Sequence, residues 1–159
     1  MDTAAKKTVL RLFSYGLYAV TAKRGAETSA MTVNWITQSS FDPPMVALAV
    51  EADSHSRKVI EASSAFAVNV YESGEREFAG RLGMTFAKHP EKLNDLATRP
   101  GPVTGSPLLA GALGWVECRV LGSLPSGDHV LFLAEVVEAG VNRDGAPLTL
   151  KEAGFKYGG

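Results

Sequence analysis

The amino-acid sequence predicts a mainly β protein, an antiparallel barrel that is closed or nearly closed and carries two or three short helices. Six segments alternate apolar and polar residues and are rich in Val, Ile, Tyr, Phe or Trp, a composition typical of strands. Only two segments have the spacing of amphipathic helices. The strands therefore do not alternate with helices, as they would around a parallel sheet.

The predicted strands follow one another along most of the chain. They span residues 17–22, 31–37, 45–50, 66–71, 115–121 and 130–137. Turn-forming residues separate several of them, at residues 24–28, 42–44 and 124–128. Short connections of this kind favour antiparallel neighbours.

The two helices are predicted at residues 56–62 and 75–82, where charged residues interleave with apolar ones at helical spacing. Residues 94–112 contain three prolines and three glycines and show little apolar periodicity. We expect a long surface loop there. A loop of this length in a compact domain is usually functional or is held against a partner subunit.

Length and charge limit the classes of protein to consider. A chain of 159 residues suits one domain, residues 1–159. The 16 Lys and Arg residues nearly balance the 17 Asp and Glu residues, so we expect no binding to nucleic acid or to an anionic membrane. The longest apolar runs are far shorter than a bilayer span. Residues 1–7 carry no secretory signal, and we expect a cytoplasmic protein.

Neither a disulfide nor a metal centre is predicted. Cys118 is the one cysteine and lies in a predicted strand, which favours a core or interface residue. The three histidines, His55, His89 and His129, are widely separated and do not have the spacing of a zinc motif. We therefore expect no metal.

Polar side chains crowd into one predicted strand and the residues that follow it. They are Thr32, Asn34, Thr37, Gln38, Ser39 and Ser40. A bound isoalloxazine ring would explain this crowding, because it needs hydrogen-bond partners along its pyrimidine edge. The alternative is a strand whose polar face is simply in water.

A possible anion site lies at the start of the first predicted helix. Ser54 can cap this helix, and the amide groups of its first turn then favour an anion such as a phosphate. Arg57 and Lys58 add positive charge at the same place. The alternative is an ordinary capped helix with solvated charges.

Two further segments each allow a functional and a structural interpretation. His129 follows Gly127 and Asp128, so it either opens a strand after a hairpin turn or points into a pocket, where it could contact a flavin or orient a nicotinamide. Lys88 and His89 could reach an anionic ligand edge, or they could form a solvated cluster at a helix end. Motifs for nucleotide-binding loops and paired catalytic carboxylates are missing from the sequence.

Four ordered pieces of the sequence resemble a known family. They are Tyr15-Gly16-Leu17-Tyr18, residues 32–44, Phe66-Ala67-Val68-Asn69-Val70 and Gly127-Asp128-His129. In this order and spacing they resemble the flavin reductase-like, FMN-binding split-barrel family, which includes flavoredoxins and the reductase modules of diflavin proteins. The resemblance runs from about residue 13 to residue 159. It implies a closed antiparallel split β-barrel with Greek-key topology.

The resemblance also implies a homodimer that binds FMN, or alternatively FAD, near the subunit interface. The ring and ribityl chain would contact Ser29, Ala30, Met31, Thr32, Thr37, Gln38 and Ser39. The phosphate would contact Ser54, Ser56, Arg57 and Lys58. Trp35, Lys88 and His129 match positions near the flavin, and His129, the catalytic candidate, would face the nicotinamide.

Proteins that resemble this family have three candidate functions. The first is an NAD(P)H-dependent flavin reductase or FMN-containing electron-transfer flavoprotein, which passes hydride from NAD(P)H to the flavin and serves a flavin-dependent monooxygenase or other redox partner. The second is a non-catalytic flavin- or haem-binding module of the same barrel. The third, an oxidase of another small molecule, has no residue set in its favour.

Overall fold

The computed structural model describes residues 1–158, which contain nine strands and four α-helices. The strands are β1 (Tyr18–Arg24), β2 (Glu27–Val33), β3 (Ile36–Phe41), β4 (Pro44–Glu51), β5 (Ala65–Val70), β6 (Thr98–Pro100), β7 (Pro107–Leu109), β8 (Gly114–Ser126) and β9 (His129–Val141). The helices are α1 (Thr3–Leu10), α2 (His55–Ser63), α3 (Arg76–Gly83) and α4 (Leu150–Ala153), with a 3₁₀ helix at Pro90–Leu93. The prediction of a mainly β, antiparallel protein with short helices is confirmed.

Seven strands form one antiparallel sheet in the order β2-β1-β5-β8-β9-β4-β3. Only Asn34 and Trp35 separate its two end strands, β2 and β3, in the chain. Three residue steps span at most about 11 Å, so the sheet must curl until these ends lie close together. Within residues 1–158 the hydrogen-bonded ladders do not join β2 to β3, and closure of the barrel stays a prediction.

Two predicted segments differ from the structure. Residues 31–37 are not one strand, because the chain leaves β2 after Val33 and β3 pairs with β4 at the other end of the sheet. Residues 94–112 are not a loop throughout, since β6 and β7 pair as a hairpin and Leu108 and Leu109 are buried. Contacts distant in sequence decide both features, which is why local patterns did not predict them.

The structure has four α-helices within residues 1–158, where the sequence predicted two or three, and the four-residue α4 was not predicted. Helix α1 was not predicted either. It contains no buried residue, so it lacks the apolar face that reveals a helix in a sequence. Asp2 caps it, and the Asp2 carboxylate accepts hydrogen bonds from the amides of Ala4 and Ala5.

The main core cluster joins the sheet to α2 and includes Val20, Ile60, Phe66 and Phe132. Cys118 belongs to this cluster and is fully buried, which confirms its interpretation as a core residue. Burial raises the pKa of its thiol to about 12. A second cluster packs against α3, and α2 and α3 both contact β1 and β2.

Helices of the described chain all fall short of the length and apolarity needed to span a membrane.

Candidate functional site

A cavity of about 780 Å³ lies between β2, the start of α2, α3 and the segment after α4. Its wall includes Met31, Thr32, Asn34, Trp35, Glu51, Ser54, His55, Ser56, Lys58, Phe86, Lys92, His129 and Tyr157. Small-molecule sites have volumes of roughly 300–1,000 Å³. The cavity therefore has room for a heteroaromatic ring with a polar side chain.

The predicted binding residues divide into two groups. Met31, Thr32, Trp35, Ser54, Ser56, Lys58 and His129 line the cavity. Ser29, Ala30, Thr37, Gln38, Ser39, Arg57 and Lys88 lie outside its lining. The structure thus brings together half of the predicted set, drawn from three separate parts of the sequence.

The residues outside the lining have clear local reasons for their positions. Ser29 and Ala30 are buried within β2. Residues 37–39 are exposed on β3, because the chain changes direction at residues 34–35. The Arg57 guanidinium donates instead to Glu61 Oε2 at 2.7 Å, one turn along α2.

The start of α2 lies at the cavity and has the features of an anion site. Ser54 is the N-cap residue, and its Oγ accepts a hydrogen bond from the Arg57 amide at 3.2 Å. The first amides of a helix have no partner inside the helix, and the helix dipole favours negative charge beside them. The Ser56 and Lys58 side chains lie on the same wall and add a hydroxyl and a positive charge.

Two hydrogen-bond donors at the end of β2 point to a ligand. Among the described residues, Asn34 Nδ2 and Trp35 Nε1 are buried and find no hydrogen-bond acceptor, and both side chains line the cavity. A buried donor without a partner costs about 1–3 kcal/mol. A ligand with acceptor atoms along one edge would remove this cost. Asn34 was not in the predicted set, although its polar side chain interrupts the apolar alternation of the strand.

Lys92, rather than the predicted Lys88, brings a lysine to the wall. Its side chain is buried, and its Nζ donates to the carbonyls of Leu82 and Met84 at 2.8 Å and 2.5 Å. Burial lowers the pKa of this ammonium group. An ammonium has three donors, so one is left for a ligand. The sequence held no signal for Lys92, because its burial depends on α3.

His129 lies on the cavity wall where β9 begins. Its Nδ1 is 2.7 Å from Asp128 Oδ1, and its Nε2 is 3.0 Å from the Tyr157 hydroxyl. The hydrogen bond to His129 lowers the pKa of the Asp128 carboxyl. The centroid of the His129 ring is 4.7 Å from that of Trp35. The turn interpretation and the pocket interpretation of His129 are therefore compatible.

The chain matches a family model and two kinds of curated relatives. The model described as "Flavin reductase like domain" matches residues 10–159. The chain is 34% identical over 143 residues to the NADH-dependent FAD reductase of Streptomyces globisporus, covering 87% of this chain and 76% of that protein. It is 28% identical over 142 residues to Diflavin flavoprotein A 1 of Synechocystis sp., covering 89% of this chain and 24% of that protein. The chain spans about a quarter of the length of the diflavin flavoproteins that it matches.

A solved structure shares the fold over almost the whole chain. It is the flavin reductase component of a bacterial two-component tryptophan halogenase, with a TM-score of 0.82 and 26% identity, covering 99% of this chain and 98% of that chain. The family model, the sequence relatives and this fold agree with the resemblance noted in the sequence. The chain belongs to the flavin reductase like domain family.

Proposed function

We propose that this chain is an NAD(P)H-dependent flavin reductase, or an FMN-containing electron-transfer flavoprotein, that binds its flavin in the cavity of about 780 Å³. Membership of the family and a relative named NADH-dependent FAD reductase support an oxidoreductase enzyme. One observation carries the assignment of the site. The buried, unpartnered donors of Asn34 and Trp35 and the helix start at Ser54 line the same cavity.

The residues present fit a flavin. Its isoalloxazine ring has carbonyl and ring-nitrogen acceptors along one edge, which match the free donors Asn34 Nδ2 and Trp35 Nε1. Its phosphate matches the start of α2, where Ser56 and Lys58 also line the cavity. FMN is our first choice of cofactor and FAD the alternative.

A bound flavin supplies the hydride chemistry, by accepting hydride from NAD(P)H. The protein has to bind and orient the two reactants and keep water away. In this proposal the start of α2 holds the phosphate, Asn34 and Trp35 orient the ring, and His129 contacts the nicotinamide. Such a site requires no acid and base pair from the protein.

We also infer a closed split β-barrel, a homodimer and a redox partner. The link of two residues between β2 and β3 supports closure. Exposed apolar side chains on β8 and β9, at Leu121, Leu124 and Leu133, support an interface with a second copy. A structural relative that is the reductase component of a two-component halogenase supports a flavin-dependent partner such as a monooxygenase.

The function is tested by visible spectra recorded without oxygen. The purified protein is titrated with FMN and, separately, with FAD, and then receives NADH or NADPH. We expect the flavin absorbance to bleach much faster than in a protein-free control, and the faster donor identifies the physiological nicotinamide. A bound flavin that stays oxidised with both donors would contradict the reductase and favour the non-catalytic binding module.

A further inference from the structure

Lys92 is a cation that the fold buries. Its side chain is 5% exposed, and the ion pairs formed within residues 1–158 do not include it. Burial lowers the pKa of its ammonium group. Two hydrogen bonds to carbonyl oxygens favour the charged form, so we expect Lys92 to stay protonated at neutral pH, as an ordinary lysine with a pKa of about 10.4 does. A buried charge of this kind normally has an opposite charge as its partner.

The end of α3 compensates for only part of this charge. Lys92 Nζ donates to the carbonyls of Leu82 and Met84, at 2.8 Å and 2.5 Å. These carbonyls lie where the helix ends, and a helix end of this polarity is equivalent to roughly half a negative charge. An ammonium group has three N–H donors, so these bonds leave one donor and about half a charge. Both fit an anionic acceptor in the cavity that Lys92 lines.

The wall around Lys92 is shared with the end of β2. Gly83 lies between the two residues whose carbonyls hold Lys92, and a Cβ atom at Gly83 would be 3.7 Å from Thr32 Cβ. Asn34 follows Thr32 by two positions, and side chains two positions apart in an extended chain point to the same side. Thr32, Asn34 and Lys92 all line the cavity. Asn34 Nδ2, which has no acceptor among the described residues, and the remaining N–H of Lys92 therefore belong to the same part of the wall.

A flavin offers this part of the wall a negative charge only after it is reduced. The oxidised isoalloxazine ring is neutral. Hydride brings one proton and two electrons to N5, so the reduced ring is an anion until a second proton arrives, and its charge is spread over N1 and the neighbouring carbonyl oxygen. These atoms belong to the acceptor edge that Asn34 and Trp35 orient in the proposed function. A charged group near this edge changes the reduction potential of a flavin.

We propose that Lys92 is a flavin-binding residue whose ammonium group stabilises the reduced, anionic ring more than the oxidised, neutral ring. The proposal rests on the proposed function in one respect, that the flavin binds in this cavity. Two opposite charges attract each other more strongly than an ammonium group attracts a neutral carbonyl. The protein therefore holds reduced flavin more tightly than oxidised flavin, and the reduction potential of the bound flavin rises.

The test is the reduction potential of bound FMN in Lys92→Met, measured with a chemical reductant and without a nicotinamide. Methionine keeps an unbranched side chain and removes the charge. We expect the affinity for reduced FMN to fall about tenfold relative to the affinity for oxidised FMN, which lowers the two-electron potential by about 30 mV. Riboflavin should show the same change, because it has the same ring. Lys23→Met, which removes an exposed cation on β1 outside the cavity lining, is the matched control and should leave the potential unchanged.

A measurement on the wild type covers the case in which Lys92→Met folds poorly, since the substitution also removes two hydrogen bonds to α3. NMR of the lysine side chains gives the pKa of the Lys92 ammonium group, first with oxidised and then with reduced FMN bound. Coupling between two sites is reciprocal, so this pKa should be higher with reduced FMN.

Two results would overturn the proposal. One is an unchanged potential in folded Lys92→Met, or an unchanged Lys92 pKa on reduction of the wild type, either of which would leave Lys92 as a cap of α3. The other is a loss of affinity for FMN that riboflavin does not share, at an unchanged potential, which would place Lys92 at the phosphate. Failure of the proposed function looks different. A protein that binds FMN without accepting hydride from NAD(P)H still has a measurable potential, and a protein that binds no flavin contradicts the proposed function itself.

Discussion

Asn34 is a polar side chain that the fold buries without a hydrogen-bond partner for its amide nitrogen. It is 5% exposed, and within the described residues its Nδ2 finds no acceptor. Asn69 is the structural counterpart. Its Nδ2 donates to the Ala19 carbonyl and to Thr21 Oγ1, and its Oδ1 accepts from the Leu109 amide. The fold thus satisfies the Asn69 amide, whereas the Asn34 amide nitrogen has no partner in the described part of the chain and is available for the proposed flavin contact.

Replacing Asn34 with Leu should separate binding from stability. We expect the ligand-free protein to keep or gain stability against urea, because the unpaired donor disappears. FMN affinity should fall about 5- to 150-fold, the equivalent of about 1–3 kcal/mol. Urea unfolding and a flavin fluorescence titration measure the two effects.

Asn69→Leu is the control for this prediction. It should lower the free energy of unfolding by several kcal/mol, roughly 3, because three hydrogen bonds at a fully buried site are lost. If Asn34→Leu destabilises the protein as much as Asn69→Leu does and leaves FMN affinity unchanged, Asn34 has a structural role. The proposed contact between Asn34 and the flavin ring would then be wrong.

At the scale of the element, α2 carries an N-cap residue and two cationic side chains, of which one lines the cavity and the other forms an ion pair. Ser54 caps the helix, Lys58 lines the cavity, and Arg57 forms an ion pair with Glu61 four residues later. Neighbouring positive residues on one helix therefore have different environments, because successive side chains point in directions about 100° apart.

Lys58 and Arg57 should differ in how much they contribute to FMN affinity. We expect Lys58→Ala to weaken FMN binding about tenfold or more, since a charge-assisted hydrogen bond contributes roughly 1.5–3 kcal/mol. Riboflavin, which lacks the phosphate, should bind equally well to the variant and the wild type. Arg57→Ala should change FMN affinity by less than about twofold, because an exposed i,i+4 ion pair contributes little. Equal losses of FMN affinity in the two variants would place Arg57 at the phosphate as well.

A buried carboxylate on β8 holds the loop between β6 and β7. Glu117 is fully buried and accepts hydrogen bonds from the amides of Val103 and Thr104 at 3.0 Å and 2.7 Å, and from Thr104 Oγ1 at 2.6 Å. A side chain of any size at Gly101 would overlap the same carboxylate. The proline-rich segment is therefore fixed by one residue from the main sheet.

Glu117→Ala should unfold at a lower urea concentration than the wild type. Its free energy of unfolding should fall by about 3 kcal/mol or more, because the substitution leaves the loop amides without acceptors. Hydrogen exchange of the amides at residues 101–106 should accelerate more than exchange in the main sheet. Glu138, the partner of Glu117 on β9, is exposed, and Glu138→Ala should be close to neutral. Similar destabilisation by the two variants would contradict this role for Glu117.

At the scale of the whole molecule, the exposed apolar side chains are unevenly distributed. Leu121, Leu124 and Leu133 lie on the β8–β9 hairpin and are 56%, 63% and 41% exposed. Each exposed apolar side chain is unremarkable alone, but a group on one hairpin is typical of a protein interface. The proposed homodimer would cover them.

Sedimentation should give a particle of twice the chain mass of 16.8 kDa. Leu124→Lys should shift the equilibrium toward the monomer by tenfold or more, because it places a charge in an apolar contact, at a cost of roughly 2 kcal/mol or more. Val141→Lys, at the exposed far end of β9, is the matched control and should leave the mass unchanged. A wild-type particle of monomer mass would contradict the homodimer.

The fold class could be predicted because it depends on local physics. Alternation of apolar residues, turn residues and helical spacing act over a few positions, and they predicted the antiparallel sheet and the helices α2 and α3. The break at Asn34 and Trp35 was missed, because no glycine or proline marks it and only the pairing of β2 with β1 and of β3 with β4 separates the two strands. Helix α1 has no buried face and left no pattern to find.

For the candidate site, the sequence by itself determined the cap at Ser54, the polar residues near the end of β2 and the turn that precedes His129. Only the tertiary structure decided that Lys58 lines the cavity while Arg57 does not, that Lys92 is buried beside α3, and that Tyr157 meets His129 and Glu51. The physical reason is the separation along the sequence between the residues that interact. Caps and turns are local interactions that a short stretch of sequence encodes, whereas a cavity wall is formed by side chains that the closed packing of distant elements brings together.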